Sequence, residues 1–220
     1  MDEDDFQTEM EYLPVVEAGP RVFKIWKSTL LFWLSSSQNE VYLVSPFLDE
    51  DILEEFLDIV LKKEETANIG FVFVREKCYK SLTFKKIWAS TIGNYSTREK
   101  KVLGKTVLSK VWEVKTEISY FHAKFIGCVN TETREAEVLL TSANFTKDHF
   151  KKYSGGKQNN ESLSYHKMET AEFRKRFIEP MKEIYKENME VKADPAPAHR
   201  ARAPRLDLKD LFLKFRNGID

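Results

Sequence analysis

Between residues 40 and 74 the hydrophobic pattern changes period twice, and this constrains the fold more than any other stretch. Glu40-Val41-Tyr42-Leu43-Val44-Ser45-Pro46 is a short apolar run of β-branched and aromatic residues stopped by a proline, which predicts a buried strand. Asp49-Glu50-Asp51 then opens a segment whose Ile52, Phe56, Ile59 and Val60 share one helical face, with acids in the first turn where the helix dipole favours them. Ile69-Gly70-Phe71-Val72-Phe73-Val74 is a second apolar run. Two strands joined through a helix lie parallel in one sheet, so the chain belongs to the α/β class.

The flanking segments extend this unit. Val22 to Leu34 has helical spacing and ends in Ser35-Ser36-Ser37, so a helix precedes the first strand. Residues 77–92 read as a helix, 93–106 as a loop or broken helix, and 111–114 as a short strand. Phe121 to Val129 and Glu137 to Leu140 flank the turn Asn130-Thr131-Glu132-Thr133 and predict a hairpin. Glu161 to His166 alternates as a strand does. Thr170 to Asn188 has helical spacing, with Pro180 as the expected kink. The expectation is a mixed, largely parallel sheet flanked by helices.

With 220 residues, one domain with tails fits better than two domains. Residues 1–20 carry seven acids and no base, an arm expected to be solvated, so the folded body is expected over 21–190. An Ala/Pro/Arg-rich linker follows at 191–205. An amphipathic segment closes the chain at 206–220, placing Leu208, Leu211, Phe212 and Phe215 at helical spacing, and it could dock a partner or cap its own domain. The longest apolar run, Leu30 to Leu34, is far below the roughly 20 residues of a membrane span. The acidic start resembles neither a secretory nor a mitochondrial leader, so an intracellular location is expected. Cys78 and Cys128 are too few for a disulfide framework and read as reduced core thiols.

The formal charge is +0, yet residues 75–115 hold eleven bases against three acids. Such a stretch favours a polyanion, with Lys100, Lys101 and Lys105 as substrate-binding candidates. Phe84, Trp88 and Tyr95 lie among these bases and could stack on unpaired nucleobases, although core packing is the commoner role for Phe84 and Trp88. Gly104-Lys105-Thr106 has Glu99 where a phosphate-binding P-loop needs its first glycine, so nothing supports ATP binding. His122, His149, His166 and His199 show no metal-ligand spacing, and neither metal nor cofactor is expected.

One constellation remains. His122-Ala123-Lys124 lies on an expected strand, Thr141-Ser142-Ala143-Asn144 just after the next, and Asn159-Asn160-Glu161 at the opening of another. Alternation puts His122 and Lys124 on one face, and the hairpin brings Ser142 and Asn144 near that strand's start. A nucleophilic imidazole, a fixed cation and neutral donors are what phosphodiester chemistry needs.

These residues resemble the phospholipase D superfamily, whose members carry H-x-K-x4-D, G-S-x-N and a downstream N-x-E, and the resemblance covers about residues 21–190. It implies that His122 forms a phosphohistidine, that Lys124 and Asn144 bind the phosphate with support from Ser142, and that Glu161 orients His122. It implies no metal. The motif aspartate falls on Val129 and the motif glycine on Thr141; the tyrosyl-DNA phosphodiesterases also lack that aspartate, and their second motif is similar to residues 141–147 here. Family sites use two half-motifs, so a single H-x-K implies a homodimer with a shared active site, one His122 attacking phosphorus and the other protonating the leaving oxygen. The expected function is a metal-independent phosphodiesterase, a nuclease acting on DNA or RNA. The alternatives are a lipid phosphodiesterase for anionic headgroups and a non-catalytic dimeric phosphate-binding scaffold.

Overall fold

A computed structural model describes residues 15–78, 80, 82–115, 121–151 and 159–193. Its seven strands are β1 Val15–Ala18, β2 Asn39–Val44, β3 Ile69–Arg75, β4 Val111–Val114, β5 Phe125–Asn130, β6 Glu135–Thr141 and β7 Asn160–Glu169. Its helices are α1 Gly19–Trp33, α2 Glu50–Lys62, α3 Phe84–Ile92, α4 Thr97–Thr106, α5 Lys147–Phe150, α6 Thr170–Phe173 and α7 Glu179–Ala193. The strands form one open sheet in the order β1-β7-β6-β5-β2-β3-β4. β2, β3 and β4 run parallel, as the strand-helix-strand pattern requires, and the remaining pairings are antiparallel. The sheet is mixed, as expected, but it is not largely parallel: two of its six pairings are parallel and four antiparallel.

Alternation along the strands divides the core in two. Val41 and Leu43 of β2, Val72 and Val74 of β3, and Ile126 and Cys128 of β5 face α1, α2, α3 and α4. Tyr42, Val44, Phe71, Phe73, Phe125 and Val129 face the C-terminal helix through Phe173, Phe177, Ile178 and Met181. Trp26 and Trp33 on α1 and Phe56 on α2 are buried almost completely in the first core. Each such side chain contributes about 1.5–3 kcal/mol of burial. Cys78 and Cys128 are buried and free, and burial pushes the Cys78 thiol up to about 12, so it stays protonated and unreactive at neutral pH.

Several elements differ from the sequence expectation, each for a local reason. Val15 to Ala18 fall within the stretch expected to be a solvated arm, yet they pair with β7, where backbone hydrogen bonds and the half-buried Val15 hold them. The helix expected from residue 77 starts at Phe84, because Cys78 N–H bonds Leu82 O and Thr83 caps the helix with its hydroxyl. Residues 93–106, expected as a loop or a broken helix, hold α4 from Thr97, whose Ser96 and Glu99 form a reciprocal capping box. The strand expected from Phe121 begins at Phe125, because β2 ends at its partner Val44 and leaves residues 121–124 beyond the ladder. The irregularity expected at Pro180 appears as a π turn over Arg174–Ile178. Proline lacks the N–H that would bond four residues back, and the wider turn sits where that bond is lost. Residues 1–14 of the acidic arm, most of the Ala/Pro/Arg-rich linker and the amphipathic C-terminal segment lie outside the described residues. Among the described residues no helix is long and apolar enough to cross a membrane.

Candidate active site

The ends of five strands meet at one edge of the sheet: the C-termini of β2, β3 and β6 and the N-termini of β5 and β7. The Thr141 N–H donates to Lys124 O at 3.1 Å, which carries the β5 and β6 register one residue past Phe125. Lys124 continues the alternation of Ile126 and Cys128, and Glu161 that of Leu163 and Tyr165, so both belong to the face packed on α1 and α2. Ser142 is tied to β7 by its N–H on Ser162 O at 3.1 Å.

After Asn144 the chain is pinned to α2. Phe145 N–H bonds Ser45 Oγ at 3.2 Å, and Asp49 N–H bonds Phe145 O at 3.2 Å. The buried Asp49 carboxylate caps α2 by accepting from Ile52 N at 3.0 Å and anchors α5 by accepting from Lys147 N at 2.7 Å. Ion pairs of Lys147 and Lys151 with Asp51 reinforce the junction. This places His149 over the N-terminus of β7.

Glu161, only 5 % exposed, is the hub. Its Oε2 accepts from Ser142 Oγ at 2.5 Å, and its Oε1 lies 2.6 Å from His149 Nδ1. Ser142 Oγ in turn accepts from Ser162 N at 2.9 Å. His149 Nε2 lies 3.2 Å from Asn144 Nδ2, and Asn144 Oδ1 is buried with no hydrogen-bond partner among the described residues. Burial alone would raise the Glu161 carboxyl, but the hydrogen bonds from His149 and Ser142, with the positive charge of Lys124, hold it below the ordinary glutamate range. Glu161 is therefore a carboxylate at neutral pH.

Lys124 shows the opposite balance. Burial, then the positive charge of Arg75, lowers its ammonium pKa, and the charge of Glu161 partly restores it. Its Nζ donates to His122 O at 3.0 Å. Arg75, at the end of β3, is buried between the rings of Phe47 and Phe121, 5.1 and 5.5 Å from their centroids, and its Nη2 donates to Phe121 O at 2.5 Å. The segment carrying the exposed His122 is thus held on both sides, by Arg75 at residue 121 and by Lys124 at 122.

Of the expected site residues, Lys124, Ser142, Asn144 and Glu161 come together at this edge, with His122 two residues before Lys124 in the same segment. The expected pairing of Glu161 with His122 is replaced: both Glu161 oxygens serve His149 and Ser142. Lys100, Lys101 and Lys105 lie elsewhere, exposed on α4. Arg98, in the first turn of α4, pairs with Glu64 just past the C-terminus of α2, whereas the site touches the N-terminus of α2 at Asp49. Asn94, just before α4, reaches Glu54 in the middle of α2, and Lys100 Nζ donates to Gly93 O beside it, so α4 packs along α2 from its middle to its end. Phe84 and Trp88 are core residues, and Tyr95 donates its hydroxyl to Asp58 Oδ1 at 2.7 Å, so none of the three is an open stacking platform. Val129, in the position of the motif aspartate, points into the core on the opposite face of the sheet. Thr141, in place of the motif glycine, accepts from Ala143 N at 3.0 Å and tightens the turn.

Two site residues escaped the sequence reading. His149 gave only a lone histidine five residues after Asn144, and Arg75 only a base at the end of an apolar run. Among the described residues no three of His, Cys, Asp and Glu cluster as metal ligands would.

No protein-family model matches the chain, and no curated protein matches it. Solved structures similar to it include the yeast tyrosyl-DNA phosphodiesterase, at 15% identity and a TM-score of 0.38, covering 70% of this chain and 32% of that one. The chain thus spans about a third of the yeast enzyme's length. A phosphatidylserine synthase of Haemophilus influenzae aligns at 12% identity and a TM-score of 0.44, covering 92% of this chain and 51% of that one. NucT from Helicobacter pylori aligns at 16% identity and a TM-score of 0.36, covering 80% and 94%.

Proposed function

We propose that the chain is a metal-independent phosphodiesterase of the phospholipase D superfamily, a nuclease that cleaves nucleic-acid phosphodiesters through a phosphohistidine. The supporting observation is the convergence of Lys124, Ser142, Asn144 and Glu161 at one sheet edge beside His122, in the order H-x-K, S-x-N, N-x-E. A ring nitrogen of His122 attacks phosphorus and forms the P–N bond while the bond to the leaving oxygen breaks. Lys124 and the carboxamide of Asn144 donate to the phosphoryl oxygens, where negative charge builds. Water then attacks the same phosphorus and releases His122, so the net reaction consumes one water and yields one phosphomonoester and one alcohol. With a single H-x-K per chain, the proton for the leaving oxygen comes from His122 of a second subunit across a shared cleft, which makes the active species a homodimer.

The test is hydrolysis in excess chelator, comparing labelled single- and double-stranded DNA and RNA with vesicles containing an anionic phospholipid. Cleavage of nucleic acid is expected, with His122→Ala abolishing turnover and wild type quenched in alkaline detergent retaining label on histidine through an acid-labile, alkali-stable bond. Lys124→Ala should cost about 10²–10³ in kcat, as loss of a preorganised donor does. Turnover confined to the vesicles would assign the site to lipid, and full activity in His122→Ala would overturn the mechanism.

A further inference from the structure

His149 stands outside all three motif segments, yet the hydrogen bonds of two of them meet on its ring. Glu161 is a carboxylate and can only accept, so the proton between them belongs to His149 Nδ1. The atom facing Nε2, at 3.2 Å, is Asn144 Nδ2, which can only donate, so Nε2 accepts. The direction of every bond from Ser162 N–H through Ser142, Glu161 and His149 to Asn144 is thereby fixed. So is the orientation of the Asn144 carboxamide. Its nitrogen faces the ring, and its oxygen occupies a buried position without a hydrogen-bond partner among the described residues. Turning the amide over would set that oxygen against the lone pair on Nε2, so the ring keeps the nitrogen in place.

The orientation matters because an amide nitrogen carries two hydrogens. One is engaged by His149, and the second remains for an anion, whereas an inverted amide would present a carbonyl oxygen and repel it. We propose that His149 is a positioning residue that holds Asn144 with its donor end toward the phosphoryl oxygens, and that Glu161 acts by fixing the tautomer of His149. This rests on the phosphodiesterase reading, since only an anionic ligand distinguishes the two ends of the amide. The backbone under His149 is built to hold the ring still. Asn159 Nδ2 bonds Asp148 O at 3.0 Å, and Gly19 packs so closely that a Cβ there would lie 1.8 Å from His149 O.

The experiment compares kcat and KM of the full chain on an oligonucleotide and on bis(4-nitrophenyl) phosphate, with thermal melting as the fold control. His149→Phe, which keeps a ring at the 29 % exposed side chain, should lower kcat about 10- to 100-fold and change KM far less. His149→Gln should recover part of the loss, because its amide can donate to Glu161 and accept from Asn144. The double variant His149→Phe with Asn144→Ala should be no slower than Asn144→Ala alone, since a residue acting through Asn144 has nothing left to position. Unchanged kcat in His149→Phe, or losses that multiply in the double variant, would overturn the inference. Should His149→Phe melt early, the same cycle built with His149→Gln decides between these outcomes. A wild type that hydrolyses neither substrate would overturn the phosphodiesterase reading and this inference together, a result distinct from an active enzyme indifferent to residue 149.

Discussion

Glu161 accepts from both Ser142 and His149, and its acidity follows from those bonds. A carboxyl whose folded pKa is depressed stabilises the fold fully above its unfolded value and loses that contribution as pH falls through the folded one. Wild type should therefore be more stable than Glu161→Gln at pH 6–8, and the gap should close as urea melts are repeated at acid pH below the ordinary glutamate value. A gap that persists to the lowest pH would mean that the charge of Glu161 contributes nothing. Gly19→Ala is the second residue to test. Its Cβ would meet backbone rather than a movable side chain, so a loss of at least about 1–3 kcal/mol is expected, read by chemical denaturation. Glu161 was legible in the sequence because its motif spacing marks it. Its partner was not, because His149 reaches the site only through the chain reversal after β6, and residue type and spacing do not encode that reversal.

Asp49 links elements as Glu161 links residues, capping α2 and anchoring α5 with one carboxylate. Asp49→Ala should cost more than the roughly 1 kcal/mol of a lost N-cap, because Lys147 N–H loses its acceptor as well. Asp49→Asn, which keeps one acceptor oxygen, should cost less, and equal losses in equilibrium unfolding would refute the double role. The cap itself was readable from Asp49-Glu50-Asp51. α4 was equally readable from Ser96-x-x-Glu99, but only Leu103 of that helix is buried, and so hydrophobic periodicity, the stronger signal, failed there. The position of α4 yields a prediction of its own. On the nuclease reading, reversing Lys100, Lys101 and Lys105 to Glu should leave kcat on a dinucleotide unchanged while weakening the binding of long strands and reducing its salt dependence, since only a longer strand reaches from the site to α4. Slower dinucleotide cleavage would place α4 nearer the chemistry than its contacts with α2 allow.

At the scale of the molecule, the alternation of strands with helices defined the class, and the strand-helix-strand unit fixed the parallel part of the sheet. The closing of the other edge was not legible: β1 is four residues long, follows an acidic stretch, and has no hydrophobic period of its own. Its partner is β7, with Val15 opposite Leu163 and Glu17 opposite Glu161, so one of the shortest strands in the sheet covers the strand that carries the hub carboxylate. Sedimentation of the intact chain at tens of micromolar should give a dimer if two His122 side chains share a cleft, and a monomer at full specific activity would remove that requirement. The pairing of β1 with β7 also orders events in time. The contact between the first and last strands carries the largest loop-closure entropy of any in the sheet, so it should form late in folding. Until then β7, already paired with β6, would leave its outer edge open. Pulsed hydrogen exchange should find the amides of β2, β3 and β5 protected before those of β1, and simultaneous protection would show that this closure is not late.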